Sequence, residues 1–108
     1  MKEQRIIVRT ANLLKALGHP TRVAVVEFLA QGERCVCEIA PALGVEQPTL
    51  SKHLAVLRRE GVVVCRKEGL RVIYRLADPR AAAITGLARE FLRGRWRDEG
   101  GVWEVGEH

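Results

Sequence analysis

The sequence predicts one mainly α domain carrying a β-hairpin, with about five helices and two strands over residues 1–95 and a flexible tail over 96–108. Three observations predict it. Apolar residues recur at helical spacing in five stretches. Two β-branched and aromatic runs flank Glu68-Gly69-Leu70, which is a hairpin signal. At 108 residues the chain has room for a single core, and a second subunit would bury more apolar surface.

The first helix covers residues 5–17, where Ile6, Ile7, Ala11, Leu13, Leu14 and Leu17 form a broad apolar face. Gly18-His19-Pro20-Thr21 breaks it. Pro20 opens the second helix, in the first turn, where its missing N–H costs little. Val25, Val26, Phe28 and Leu29 make residues 20–31 strongly apolar, and Gly32 closes them as a C-cap. Val36, Ile39, Ala40 and Leu43 give a short third helix over about 37–43, with Pro41 favouring a late start. Gly44-Val45-Glu46-Gln47 is a tight turn, and Pro48 opens the fourth helix, which ends at Gly61. There Leu50, Leu54 and Leu57 form an inward stripe. Val62–Lys67 and Val72–Leu76 are the hairpin strands. After Asp78-Pro79, Ile84, Leu87, Ala88, Phe91 and Leu92 make residues 80–94 an amphipathic helix. Trp96 and Trp103 fall in the tail.

Net charge is +5, and the window from Lys52 to Arg75 carries all of it: seven basic residues against Glu60 and Glu68. A clustered basic stripe suits a polyanion such as DNA. No apolar run approaches the ~18 residues that span a bilayer. Met1-Lys2-Glu3-Gln4-Arg5 opens a polar-then-amphipathic stretch and not a secretory signal. The expectation is a cytoplasmic protein with no membrane association. Three cysteines do not make a disulfide framework, and a close cytosolic pair reads as metal-binding or redox-active. The Cys-x-Cys spacing, with no strand-loop-helix around it, argues against a thiol-disulfide enzyme.

Helix, tight turn, helix and basic hairpin is the order of a winged helix-turn-helix. The third helix braces the fourth, which presents polar side chains to the major groove of double-stranded DNA. Gln47 suits an adenine edge, and Thr49 a thymine methyl or a base acceptor. Ser51, Lys52 and His53 suit phosphates, which set position without reading sequence. Arg66, Lys67 and Arg71 near the hairpin tip suit the flanking backbone or minor groove. No cofactor is needed for DNA binding. The same residues have plainer readings: Ser51 bonding its own helix, His53 as a structural histidine, Arg58 and Arg59 complementing a helix C-terminus. A winged helix that binds protein in place of DNA is the rival reading, and the basic window argues against it.

These features resemble the ArsR/SmtB family of metal-responsive winged helix-turn-helix repressors, the arsenic sensors in particular. The resemblance runs from about Leu13 to Pro79 and into the last helix. It rests on Leu17-Gly18-His19-Pro20-Thr21-Arg22, Gly32-Glu33-Arg34-Cys35-Val36-Cys37-Glu38, Gln47-Pro48-Thr49-Leu50-Ser51-Lys52-His53-Leu54 and Arg66-Lys67-Glu68-Gly69-Leu70-Arg71-Val72-Ile73-Tyr74-Arg75-Leu76. It implies a homodimer built on the first and last helices, an inverted-repeat operator and release from DNA when metal binds. Small hydroxyl residues usually flank the glutamine in that family, where this chain has Glu46-Gln47-Pro48.

Cys-x-Cys at the start of the third helix resembles the family's arsenic, antimony, cadmium or lead sites, and thiolates suit soft ions. The helix N-terminus and nearby Arg34 favour the thiolate. Residues i and i+2 of a regular helix point about 200° apart. One ion holding Cys35 and Cys37 would therefore need non-helical backbone there. A metal-bound loop and a DNA-bound helix start are expected to compete, which supplies the differential affinity that allostery requires. The resemblance narrows the ligand set. Cadmium- and lead-type sites add N-terminal cysteines, and none precedes residue 35. The family's zinc site uses histidine in the last helices, and 78–97 has none. The reading is arsenite or antimonite as inducer on Cys35 and Cys37. Cys65 is a candidate third ligand, within or between subunits, or else a small buried strand residue. The alternatives are a cadmium- or lead-type sensor, a thiol-redox or persulfide switch on the same fold, and two simply buried small residues.

Overall fold

A computed structural model describes residues 2–98. Five helices and three strands follow in order: α1 (Lys2–Leu17), α2 (Pro20–Leu29), β1 (Arg34–Cys35), α3 (Val36–Leu43), α4 (Gln47–Arg59), β2 (Val63–Glu68), β3 (Arg71–Leu76) and α5 (Arg80–Asp98). The leucine stripe of α4 sits at the centre. Leu50, Leu54 and Leu57 are fully buried beside Val25, Val26, Ile39 and Val63. Burying each such side chain stabilises the fold by roughly 1.5–3 kcal/mol. That packing holds one face of α4 down and leaves the other outward.

Local chemistry sets the boundaries. His19 caps α2, its Nδ1 accepting the Thr21 N–H at 3.1 Å, and Pro20 follows in the first turn. Gly44 ends α3 in the left-handed region at φ 65°, which a side chain rarely adopts, and so turns the chain into α4. α3 starts at Val36, earlier than Pro41 suggested. A cap at Cys35 fixes that start, and Pro41 then lies in the second half of the helix.

The sheet has the order β1-β3-β2 and is antiparallel. Gly69, at φ 63°, and Leu70 form the tip between Glu68 and Arg71. The third strand was not expected: Arg34 pairs with Tyr74 and Cys35 with Ile73. Two residues are too few for an alternation pattern to show. The helix α5 runs to Asp98, so Trp96 belongs to it and not to a tail starting at residue 96. Trp103 lies outside the described residues.

Ile6, Ile7, Val8 and Leu14 of α1 and Leu87, Phe91 and Leu92 of α5 are exposed. Among the described residues no helix is long and apolar enough to cross a membrane.

Candidate nucleic-acid interface and thiol site

The outward face of α4 begins at its first residue. Gln47, Thr49, Ser51 and Lys52 are exposed. Among the described residues their side chains have no hydrogen-bonding or ionic partner. The buried leucines on the opposite face hold these polar groups outward, toward solvent or a ligand. His53 is placed differently. It is half-buried, with Nδ1 3.0 Å from Arg22 Nη1 and its ring 4.3 Å from that of His19. Burial, then His19, then Arg22 lower its pKa. The neutral ring can accept from Arg22, whose Nε also donates to the Ala16 carbonyl. His53 thus ties α4 to α2 and the end of α1; the sequence left a phosphate contact and a structural role both open.

The wing cations are set among carboxylates. Arg66 makes two parallel hydrogen bonds to Glu33, at 2.7 and 3.0 Å, and two to Glu68, at 2.7 and 3.2 Å. The Arg66 hydrogen bond is the first cause holding the Glu33 carboxyl below its ordinary pKa. Arg71 Nη2 lies 3.6 Å from Glu38 Oε1. In this conformation both arginines face carboxylates, and each side chain stays about half-exposed. Lys67 remains exposed, with no side-chain partner among the described residues. Charge counting missed this because Glu33 is 33 residues from Arg66.

Cys35 is the N-cap of α3, with φ −71° and ψ 148°. Its Sγ accepts the Cys37 N–H at 3.2 Å, and its own N–H donates to Glu38 Oε1 at 2.8 Å. This is a capping box with a sulfur in the usual hydroxyl position, and Cys35-x-x-Glu38 is its sequence signal. Cys35 is buried and Cys37 exposed. The two sulfurs are joined as a disulfide, with the Cα atoms 5.1 Å apart. The expected competition between a metal-bound loop and the helix start took both cysteines as helical. Cys35 is extended and outside the helix, so the 200° separation does not apply, and α3 stays intact while the sulfurs meet.

Cys65 pairs with Tyr74, which pairs with Arg34. Cys35 pairs with Ile73, which pairs with Arg66. Successive strand residues point to opposite faces, so Cys65 and Cys35 lie on opposite sides of the sheet. Within one subunit this removes Cys65 from the ligand set. It is a free, half-buried thiol. Burial first, and Cys65 second, raise the pKa of Tyr74. Among the described residues no three His, Cys, Asp or Glu side chains converge as a metal site.

The family model of the bacterial regulatory proteins of the arsR family matches residues 19–64, from the cap of α2 into β2. The solved homodimeric winged helix-turn-helix DNA-binding domain of Mb0332 from Mycobacterium bovis, a possible ArsR-family transcriptional regulator, superposes with a TM-score of 0.81. It is 32% identical, with 90% of each chain covered. The chain belongs to the ArsR family. The transcriptional repressor BigR from Xylella fastidiosa superposes on this ArsR-family chain with a TM-score of 0.74 and 37% identity, covering 83% of this chain and 92% of that one. The transcriptional repressor SmtB of Mycobacterium tuberculosis is 43% identical over 81 residues, 75% of this chain and 60% of that protein. The chain spans only 60–63% of the length of the curated relatives SmtB and the biofilm growth-associated repressor of Agrobacterium fabrum.

Proposed function

We propose that this ArsR-family chain is a homodimeric repressor that binds an inverted-repeat DNA duplex. Coordination of arsenite or antimonite by Cys35 and Cys37 releases it. The observation that carries DNA binding is the exposed row Gln47, Thr49, Ser51 and Lys52, unpartnered among the described residues, on a helix whose other face is fully buried. Gln47 and Thr49 lie at the helix start, which reaches base edges first. The exposed apolar faces of α1 and α5 supply the dimer contact, since patches of that kind mark association surfaces.

The inducer reading rests on the meeting of the two sulfurs at the cap of α3, a helix that packs on α4. Once the pair is reduced, both thiols condense with arsenous acid. Two As–S bonds form, two As–OH bonds break, and two waters leave. The third arsenic position keeps its hydroxide or takes a buffer thiol. The same meeting of sulfurs favours a second reading, in which an oxidant closes the pair and disulfide formation itself is the signal.

The test is fluorescence anisotropy of a labelled duplex from the chain's own promoter, with the reduced protein titrated against arsenite, antimonite, cadmium, zinc and peroxide. Release by arsenite or antimonite at stoichiometric levels is expected. Release by peroxide alone would replace the metalloid reading with the redox one. Release by cadmium alone would point to a cadmium- or lead-type sensor.

A further inference from the structure

Two carboxylates bracket the thiol pair, and each faces one strand of the wing. Glu33, two residues before Cys35, grips Arg66 of β2 through both guanidinium nitrogens. Glu38, directly after Cys37, faces Arg71 of β3. Between them, Arg34 and Cys35 pair with Tyr74 and Ile73 of β3. The thiol segment is thus bound to both wing strands by side chains and to one by its backbone.

We propose that Glu33 and Glu38 are positioning residues that set the wing on DNA, and that a ligand bridging Cys35 and Cys37 acts by shifting this setting. The inference rests on the coordination reading above and adds where the signal goes. One carboxylate oxygen of Glu38 serves two partners: Oε1 accepts the Cys35 N–H at 2.8 Å and faces Arg71 at 3.6 Å. When Cys35 Sγ binds an ion, it is drawn toward the ion and its hydrogen bond from the Cys37 N–H must reorient. An atom inserted between the sulfurs also moves them apart. Both changes turn the cap that orients Glu38, and Arg71 must follow or let go. Glu33 carries the same displacement to Arg66.

A single exposed ion pair is worth little, but a bidentate arginine shared by two carboxylates is the arrangement that keeps its geometry. These contacts therefore serve as orientation more than as stability. The competing route runs from α3 through the core to α4. That route needs neither carboxylate.

The experiment compares the reduced full chain with Glu33→Gln, Glu38→Gln, the double variant, and the charge swap Glu33→Arg with Arg66→Glu. Glutamine still completes a capping box, so Glu38→Gln keeps the helix start while losing the ion pair. Arsenite uptake is read directly from thiolate-to-arsenic absorbance, and operator affinity from anisotropy with and without arsenite. The double variant should take up arsenite like the wild type. The ratio of its affinities without and with arsenite should fall at least roughly 5-fold, the low end of ordinary coupling between sites. The charge swap should recover part of the response lost in Glu33→Gln. Full release of the double variant would overturn the inference and place the signal in the α3–α4 contact. If arsenite leaves the wild type on DNA, the coordination reading fails in that arm alone. The same variants are then scored with peroxide closing the pair, and equal release overturns the wing inference as well. A wild type released by neither agent overturns both.

Discussion

Helix α4 and the hairpin β2–β3 share the basic window, with Lys52, Arg58 and Arg59 on one and Arg66, Lys67, Arg71 and Arg75 on the other. Their settings differ. The first turns of α4 present Gln47, Thr49, Ser51 and Lys52 without intramolecular partners among the described residues, above leucines that are fully buried. In the hairpin, Arg66 and Arg71 face Glu33, Glu68 and Glu38. Formal charge in a window is therefore an upper bound on the cations free to meet phosphates. Helix α4 is held by the core and exposed at its surface, whereas the wing cations face the segment that contains the cysteine pair.

The largest effect expected from this contrast is on stability. Leu54→Ala should cost about 2–5 kcal/mol in urea unfolding, because the side chain is fully buried beneath α4. Leu70→Ala at the wholly exposed wing tip should stay within about 0.5 kcal/mol. A comparable loss at both positions would erase the distinction between an anchored helix and a solvated wing.

Next come the thiols. Cys35→Ser and Cys37→Ser should each retain operator binding and lose arsenite release, since one thiolate cannot hold the ion against cytosolic thiols. Serine at 35 can still cap α3. Cys65→Ser, across the sheet, should respond as the wild type does. Anisotropy titrations decide it, and loss of response in Cys65→Ser with retention in Cys35→Ser would move the site.

A smaller effect separates reading from holding. Gln47→Ala should reorder operator variants by about 1–3 kcal/mol at one base position. Lys52→Ala should weaken all duplexes alike and lower the salt slope by about 1. A uniform loss of affinity from Gln47→Ala would remove it from base readout.

The smallest effect concerns His53. Its folded pKa is lowered, chiefly by burial. The stability it contributes is present above the unfolded value, about 6.5, and is lost as pH falls through the lower folded value. The urea midpoint should therefore drop more steeply below about pH 6.5 in wild type than in His53→Gln. Parallel profiles would show that the burial of His53 does not govern its titration.

Much of the molecule follows from spacing along the chain. The order of the helices, the leucine stripe of α4, the tip at Gly69 and the cap at Gly44 rest on neighbours within a few residues. Local periodicity and turn chemistry express such neighbours directly. The family resemblance was likewise carried by contiguous motifs. The rest required the chain to fold back on itself. Arg22 meets His53 across 31 residues, and Glu33 meets Arg66 across 33. The strand β1 exists because β3 lies beside it, and its two residues have no periodicity to announce it. The register of that pairing places Cys65 on the far face of the sheet from Cys35. The extended conformation of Cys35, one residue outside the helix, lets two sulfurs meet where helical geometry would hold them apart. The amino-acid sequence by itself determined which polar, basic and thiol groups the chain carries. The tertiary structure decided which of those groups are free, because freedom depends on partners that sequence distance conceals.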